Sequence, residues 1–308
     1  MNSILLVGTV SNVEKKFKSD FHNVYRAISC FDSIDIFLVE SDSNDATVEI
    51  LENLKLKMKN FDYVSLGNVK EKYSDRVERI RFCRNRYVDY IKNKITEKEW
   101  DYIAVADLDG MNKTIDISQI RDLLTNTNPW DGVFANQKHG YYDLFALRHP
   151  EWMPNNCFSD LTESRKKISS TKLLKYQIFK RFKRVLDYDS TRRSSIYKKM
   201  RVIPKESNWI KVDSAFGGFA IYKSYWLHKY DYSTSAMEQF TNSEHVDFNL
   251  KCSKDGANLF IVPKLMNSSW NEYNINRYFI IRQVRQFLGN HLRLREIILK
   301  SRIIFFRK

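Results

Sequence analysis

The sequence predicts an α/β protein with a mainly parallel sheet flanked by helices, and two observations lead to this class. Short apolar runs of strand length alternate with segments of helical length through the first half of the chain. Most of these runs are continuous rather than alternating, which is typical of parallel strands buried on both faces. With 308 residues, 43% of them hydrophobic, the chain is long enough to bury a large core.

The first predicted strand, Ser3 to Gly8, ends at a glycine. Thr9 and Ser11 then offer a turn and an N-cap for a helix that ends near Ile28. The strands that follow in this half are Ile34 to Val39, Phe61 to Leu66 and Tyr102 to Ala106, and the helices between them are Ala46 to Met58 and Glu78 to Ile95.

Beyond the central strand the predicted elements are shorter. They comprise a helix over Ser118 to Thr125, apolar runs at Gly132 to Ala135 and Leu144 to Leu147, a strand at Phe219 to Tyr222, a helix at Glu244 to Cys252 and a strand at Leu259 to Val262. We divide the chain into a nucleotide-binding part (1–160), an insert (161–205), a second part of the same domain (206–270) and a C-terminal segment (271–308).

The net charge of +14 is concentrated in two segments. Residues 165–201 carry a net +12 and residues 275–308 a net +8, so the rest of the chain carries −6. The four cysteines are scattered without a Cys-x-x-Cys pair, which makes a reducing compartment the expectation. No segment reaches the length of a membrane-spanning helix, and no signal peptide is evident. We therefore expect a cytoplasmic protein, with peripheral attachment to the inner face of the membrane as an option.

Two aspartates follow the central strand directly, in the order Asp107-Leu108-Asp109-Gly110. Ligands of open α/β sheets bind at the carboxyl ends of the strands. Carboxylates two residues apart on a chain leaving a strand can both reach one hard divalent cation, Mn²⁺ or Mg²⁺. A solvated surface turn is the alternative. We expect Asp107 and Asp109 to be metal ligands, with Asp107 also facing the cofactor.

Two further groups of polar residues are candidates for binding a nucleotide. Glu40 and Asp42 follow the second strand, where an acidic side chain can accept hydrogen bonds from a ribose or a base, although helix capping explains this cluster as well. Arg81, Arg84 and Asn85 share one face of the helix before the central strand. Guanidinium groups there suit a diphosphate, and a solvated basic face is the alternative.

In this order the motifs resemble the fungal mannan-polymerase mannosyltransferases and the cryptococcal capsule α-mannosyltransferase family. The resemblance rests on Arg84-Asn85, Asp-x-Asp, the stretch from Tyr141 to Arg148, a glycine-rich strand with Gly217-Gly218 and the Glu244-His245-Val246-Asp247 box. It covers about residues 1–160 and 205–265 and leaves out both basic segments. It implies a Rossmann-like GT-A fold and a metal-dependent glycosyltransferase that uses a nucleotide-diphosphate sugar, UDP- or GDP-linked.

Chemistry and resemblance together suggest further roles. Glu244 or Asp247 is expected to be the base that takes the acceptor proton if configuration inverts. His245 is expected to complete the metal shell, or to be an ordinary surface or capping residue. For the sugar we expect contacts from Tyr142 and Asp143, and a close backbone approach at Gly217 and Gly218, which a strand bulge would explain equally well.

The two basic segments also carry apolar residues at helical spacing. Lys172 to Leu186 and the C-terminal run read as basic amphipathic helices that can lie on an anionic membrane, near a glycan or lipid-linked glycan acceptor. Packing against the core is the alternative, and we do not expect nucleic acid as a partner. Two other functions stay open: a non-catalytic scaffold whose basic helices bind nucleic acid or membrane, and a nucleotidyltransferase.

Overall fold

The computed structural model describes residues 2–94, 98–170, 191–233 and 242–278. Eight strands form one sheet: β1 (Ser3–Val10), β2 (Ser33–Glu40), β3 (Phe61–Ser65), β4 (Tyr102–Ala106), β5 (Gly132–Gln137), β6 (Ile210–Lys211), β7 (Phe219–Lys223) and β8 (Leu259–Ser268). The α-helices with assigned bounds are α1 (Glu14–Ala27), α2 (Thr47–Lys57), α3 (Val69–Lys72), α4 (Arg76–Lys94), α5 (Ile117–Leu124), α6 (Cys157–Ser170), α7 (Tyr225–Lys229) and α8 (Glu244–Lys254).

The strand order is β3-β2-β1-β4-β7-β5-β8-β6. Strands β3, β2, β1 and β4 are parallel, and β5 is parallel to β8. Strand β7 lies between the two parallel groups and is antiparallel to both of its neighbours, and the short β6 is antiparallel to β8. The predicted α/β class with a mainly parallel sheet is therefore confirmed.

The sheet separates two hydrophobic cores. Along β1, Leu5 and Val7 face one core, while Ile4 and Leu6 face the other, as the two-residue period of a strand requires. The first core includes buried residues of α4 and α8, and the second includes those of α1 and α5. Because both faces are covered, the central strands are apolar at nearly every position.

Most of the predicted elements lie where the sequence placed them. The apolar run Leu144 to Leu147 is buried but forms turns instead of a strand. The predicted amphipathic helix over Lys172 to Leu186 falls entirely within 171–190 and, like most of the basic C-terminal segment, lies outside the described residues. Within the described part of the chain, no helix is long and apolar enough to cross a membrane.

Candidate active site

A cavity of about 1150 Å³ lies at the carboxyl ends of β1, β2 and β4. The chain builds β2 and β3 on one side of β1 and then crosses to place β4 on the other side. Strands β1 and β4 therefore flank the point at which the strand order reverses, where open α/β sheets bind their ligands. The fold makes this cavity the candidate site before any side chain is considered.

Asp107 and Asp109 lie in the wall of this cavity. The backbone N–H of Asp107 donates to the carbonyl of Gly218 at 3.0 Å, which fixes the residue at the end of β4. About a third of the Asp107 side chain is exposed, at 33%. The Oδ1 atom of Asp109 is buried and has no hydrogen-bond partner within the described part of the chain. A buried carboxylate oxygen without a donor is unfavourable unless a cation or another donor reaches it.

The electrostatics of the pair also favour a bound cation. Burial raises the pKa of Asp107 to about 7, an effect that Arg84 opposes and the charge of Asp109 reinforces. Burial likewise raises the pKa of Asp109, with Lys16 opposing the shift and Glu272 adding to it. A divalent cation held by both carboxylates would satisfy the unpaired oxygen and stabilise the charged forms. The residues present therefore fit a divalent metal.

A buried carboxylate that our sequence analysis missed holds the loop after the two aspartates. Asp20 of α1 accepts hydrogen bonds from three consecutive backbone N–H groups, those of Gly110, Met111 and Asn112, at 3.0, 3.1 and 2.8 Å. Asn112 then donates from Nδ2 to the carbonyl of Asp107 at 2.6 Å. Asp20 is fully buried. It connects α1 to the Asp107–Asp109 turn and limits the conformations that the turn can adopt.

Arg84 lies between the two aspartates and the helix α8. Its guanidinium donates to Glu244 Oε1 at 2.9 Å and to Asp107 Oδ1 at 3.3 Å, and its side chain is only 4% exposed. Its guanidinium carbon also lies 5.3 Å from the centre of the Phe216 ring. In this arrangement Arg84 is engaged by carboxylates and an aromatic ring, so most of its donors are directed at the protein.

The other members of the predicted basic face, Arg81 and Asn85, do not line the cavity. Arg81 pairs with Glu78 and with Asp247 Oδ2, at 2.6 Å for the latter, and both Arg81 and Asp247 are buried behind the cavity wall. Asn85 accepts the backbone N–H of Tyr232 at 2.9 Å. These residues join α4 to α8 and to the segment before it. Of the two predicted bases, only Glu244 lines the cavity.

His245 lines the cavity but does not join the two aspartates. Its ring stacks on Phe216 with ring centroids 3.7 Å apart. Both ring nitrogens are buried without a hydrogen-bond partner among the described residues. Burial lowers the pKa of His245 well below its usual value. Within those residues no group of three or more His, Cys, Asp and Glu side chains is arranged to hold a metal. A neutral imidazole with unpaired nitrogens is the form that binds metals, so ligation by His245 stays a prediction, although the described residues do not group its ring with Asp107 and Asp109.

The acidic residues after β2 line the cavity and also hold the loop together. Glu40 accepts the backbone N–H of Ser43 at 3.0 Å and the hydroxyl of Ser65. Asp42 adopts a positive φ of 59° and accepts the backbone N–H of Lys70 at 2.8 Å. Both carboxylates therefore have structural partners, but the expected capping of the helix after β2 is not seen, since its N-cap residue Ala46 has no side-chain cap; Asp42 remains partly exposed to the cavity.

The predicted sugar contacts divide into two groups. Tyr142 and Asp143 line the cavity. Asp143 accepts the backbone N–H of Gly217 at 3.0 Å, and burial raises its pKa. Gly217 and Gly218 do not line the cavity, and both have a positive φ, 72° and 87°. A Cβ atom at Gly217 would lie 2.7 Å from the carbonyl oxygen of Ala135. The protein's own backbone therefore requires this glycine, and the two glycines form a turn directly before β7 instead of a strand bulge.

Several lining residues were not predicted from the sequence. Tyr273 stacks on Tyr142 with ring centroids 4.9 Å apart, and it is 42% exposed. Asn12 links the loops after β1 and β2, since its backbone N–H donates to Ser43 Oγ and its Oδ1 accepts the backbone N–H of Asn44. Other lining residues of this kind are Lys70, Arg76, Arg79, Phe158 and Arg192.

No protein-family model matches this sequence, and a search of curated proteins finds no match. Three solved structures illustrate the similarity that is found. TarS 1–349 of S. aureus is 12% identical, with 87% of this chain and 60% of TarS 1–349 covered and a TM-score of 0.45. The mannosyltransferase PcManGT from Pyrobaculum calidifontis, in complex with GDP-Man and Mn²⁺, is 9% identical, with 94% and 64% covered and a TM-score of 0.48.

The third structure is glucosyl-3-phosphoglycerate synthase from Mycobacterium tuberculosis, in complex with Mn²⁺, UDP and phosphoglyceric acid. It is 11% identical, with 87% of this chain and 67% of that chain covered and a TM-score of 0.37. The chain thus spans less than two thirds of the TarS and PcManGT structures that it matches. Because each TM-score is below 0.5, the case for a function rests on the residues of the cavity.

Proposed function

We propose that this protein is a metal-dependent glycosyltransferase of the GT-A type. It moves a sugar from a UDP- or GDP-linked sugar to a glycan or lipid-linked glycan acceptor, in the synthesis of a surface polysaccharide. The observation that supports this most directly is the pair Asp107 and Asp109 at the switch point of the sheet, where one buried Asp109 oxygen lacks a donor among the described residues. The resemblance of the ordered motifs to fungal mannosyltransferases supports the same class.

Asp107 and Asp109 would hold the metal, Mn²⁺ or Mg²⁺. When bound, such an ion stabilises the negative charge that develops on a departing diphosphate. Arg84 orients Asp107 through its 3.3 Å contact and adds positive charge behind the site. Arg76 is exposed and also lines the cavity, and its charge lowers the pKa of Asp109. We assign Arg76 a direct contact with the diphosphate, since most donors of Arg84 are engaged.

The reaction forms a bond between the acceptor oxygen and the anomeric carbon, and it breaks the bond between that carbon and the diphosphate oxygen. The diphosphate leaves with the bonding electrons. In an inverting reaction Glu244 takes the proton of the acceptor hydroxyl, because it is the predicted base that faces the cavity. Asp143 and Tyr142 lie in the same wall and are assigned to the sugar hydroxyls and the sugar face.

The loops after β1 and β2 are assigned to the nucleoside. Asp42 and Asn12 both line the cavity, and Asn12 joins the two loops, since its backbone N–H donates to Ser43 Oγ at 3.0 Å and its Nδ2 donates to the carbonyl of Asp42 at 3.3 Å. Peripheral association with an anionic membrane in the cytoplasm is proposed from the charge of the two basic segments. It would bring the cavity close to a lipid-linked acceptor.

The first test is calorimetric titration with UDP and GDP, each with Mn²⁺ and each with EDTA. We expect one diphosphate to bind with Mn²⁺ and to bind at least tenfold more weakly with EDTA. Asp109→Asn should abolish the effect of the metal. Asp122→Asn, a change to a carboxylate that is 61% exposed on α5, is the matched control and should leave it intact.

The same preparation distinguishes the alternatives. Release of pyrophosphate from a nucleoside triphosphate would replace the proposal with nucleotidyl transfer. Absence of binding to either diphosphate by a folded protein, combined with salt-sensitive binding to a polyanion, would replace it with the scaffold function.

A further inference from the structure

One wall of the cavity is apolar, in contrast to the polar loops after β1 and β2. Three segments build it: the turn at residues 144–146, the start of α6, and residues 191–200. The side chains of this apolar wall are Leu144, Phe145, Phe158, Ile196, Tyr197 and Met200. A nucleoside diphosphate offers little surface that such a wall would favour. The apolar wall therefore indicates a second ligand with apolar surface of its own.

Phe158 is the most accessible apolar residue of this wall. It is 45% exposed and packs edge to face on Phe145, with ring centroids 5.0 Å apart. The backbone N–H of Phe158 donates to the Oδ1 atom of Asn156 at 2.9 Å, which fixes the backbone at the start of α6. An exposed aromatic ring on the rim of a cavity is a common feature of ligand sites.

The apolar wall is bordered by positive charge. Residues 191–201 contain five Lys and Arg side chains and no Asp or Glu. Lys199 pairs with Asp160 at 2.8 Å. Arg192 is exposed, lines the cavity and has no ion-pair partner among the described residues, and its guanidinium carbon lies 5.8 Å from the Tyr197 ring. Arg192 thus offers charge complementarity to an anion bound beside the apolar wall.

We propose that the apolar wall and Arg192 bind an acceptor in which an apolar chain is attached through a phosphate. The chain would lie against Phe158 and Phe145, and the phosphate would meet Arg192. This inference rests on the proposed glycosyl transfer for its role in a reaction, and it deepens that proposal by naming the acceptor class. The binding itself is measurable without any transfer.

The test uses farnesyl phosphate below its micelle concentration, with farnesol and inorganic phosphate as the two halves of the probe. By calorimetry we expect farnesyl phosphate to bind at least tenfold more tightly than either half. Phe158→Ala should weaken it about tenfold, and Arg192→Gln about fivefold. Tyr225→Ala, at a ring that is 56% exposed and outside the cavity, and Arg121→Gln on α5 are the matched controls and should have no effect.

Equal binding of farnesol and farnesyl phosphate would overturn the phosphate contact, and unchanged affinity in Phe158→Ala would overturn the apolar contact. Melting temperatures equal to that of the unchanged protein exclude misfolding, since both side chains are exposed. Titration of the unchanged protein with UDP or GDP separates the two proposals. Diphosphate binding without farnesyl phosphate binding overturns the acceptor class alone. Farnesyl phosphate binding without diphosphate binding overturns the proposed function and leaves the ligand site standing.

Discussion

The Nε atom of Arg84 donates to Oε1 of Glu244 at 2.9 Å, and the two side chains are only 4% and 8% exposed. This buried pair connects α4, which precedes the central strand, with α8, which carries the candidate base. Through its second contact, to Asp107, the same guanidinium also touches the candidate metal site. The structure therefore couples the position of Glu244, the candidate base, to that of Asp107, the candidate metal ligand, through one side chain.

Replacing Arg84 should destabilise the protein strongly. Arg84→Gln leaves the buried Glu244 without its cation, and we expect the free energy of unfolding to fall by about 3–5 kcal/mol in urea titrations. Arg86→Gln is the control on the same helix, because Arg86 pairs with Asp89 at the surface, and its cost should stay below about 1 kcal/mol. The double change Arg84→Gln with Glu244→Gln should recover part of the loss. Equal losses for Arg84→Gln and Arg86→Gln would contradict the buried-pair argument.

Cation binding should depend on pH. Because the pKa of Asp107 is raised to about 7, its carboxyl is protonated below that pH and a metal must displace the proton. We expect the affinity for Mn²⁺ to rise by about tenfold per pH unit between pH 5 and 7 and to level off above. Titrations of Mn²⁺ binding by electron paramagnetic resonance measure this. An affinity that is constant across the range would show that Asp107 is not a ligand.

Asp20 should matter for both stability and metal binding. Asp20→Ala leaves three backbone N–H groups without their acceptor, and we expect a loss of about 3 kcal/mol in the free energy of unfolding. The affinity for Mn²⁺ should fall about tenfold, as for other groups that orient metal ligands. Asp122→Ala on the surface of α5 is the control for removing a carboxylate. A stable variant with unchanged Mn²⁺ affinity would rule out the anchoring role.

Alanine substitutions at two glycines with similar backbone angles can distinguish the cost of backbone strain from the cost of a steric clash. Gly217 and Gly67 have φ of 72° and 64°, but a Cβ atom would meet Ala135 only at Gly217, and at Gly67 nothing lies within 4 Å. We expect Gly67→Ala to cost about 1 kcal/mol and Gly217→Ala about 3 kcal/mol in thermal unfolding. Similar costs for the two would mean that the loop around Gly217 shifts to make room.

His245 should make the protein sensitive to acid. Its folded pKa lies well below 6.5, so the unfolded chain binds a proton below pH 6.5 while the native ring stays neutral. Stability is then lost as the pH falls, by up to about 1.4 kcal/mol per pH unit from this group. His245→Phe should flatten the decline between pH 6.5 and 5 in urea titrations, and His22→Asn at an exposed site should not. Parallel curves for His245→Phe and the unchanged protein would refute this.

The local pattern of the sequence was sufficient for much of the fold and part of the site. Continuous apolar runs identified β1, β2 and β4, and the position of Asp107 and Asp109 after β4 put them at the rim of the sheet. Helical spacing showed which side chains share a face of α4, but not whether that face lines the cavity. Arg81 and Asn85 share a face with Arg84 but bind protein groups, since α8 and the segment before it pack on that face.

The features of the fold that the local sequence pattern does not predict depend on contacts between residues far apart in the chain. The placement of β7 between β4 and β5 follows from pairing between strands far apart in the chain. The buried position of Asp20, in contrast, could have been predicted from the sequence. The residue falls at helical spacing with Phe17, Phe21 and Val24, the buried face of α1, and an acidic residue on such a face needs donors from elsewhere.

The position of β7 has a consequence for the order in which the molecule can assemble. Strand β4 ends at Ala106, and the strand that covers its open edge begins about 110 residues later, at Phe219. A nascent chain can therefore pair β1, β2, β3 and β4 on the ribosome while the outer edge of β4 still lacks its partner. Unpaired edges of this kind recruit other chains, and pairing across long separations is slow. A fragment released before residue 219 is expected to self-associate through the strand that leads to Asp107.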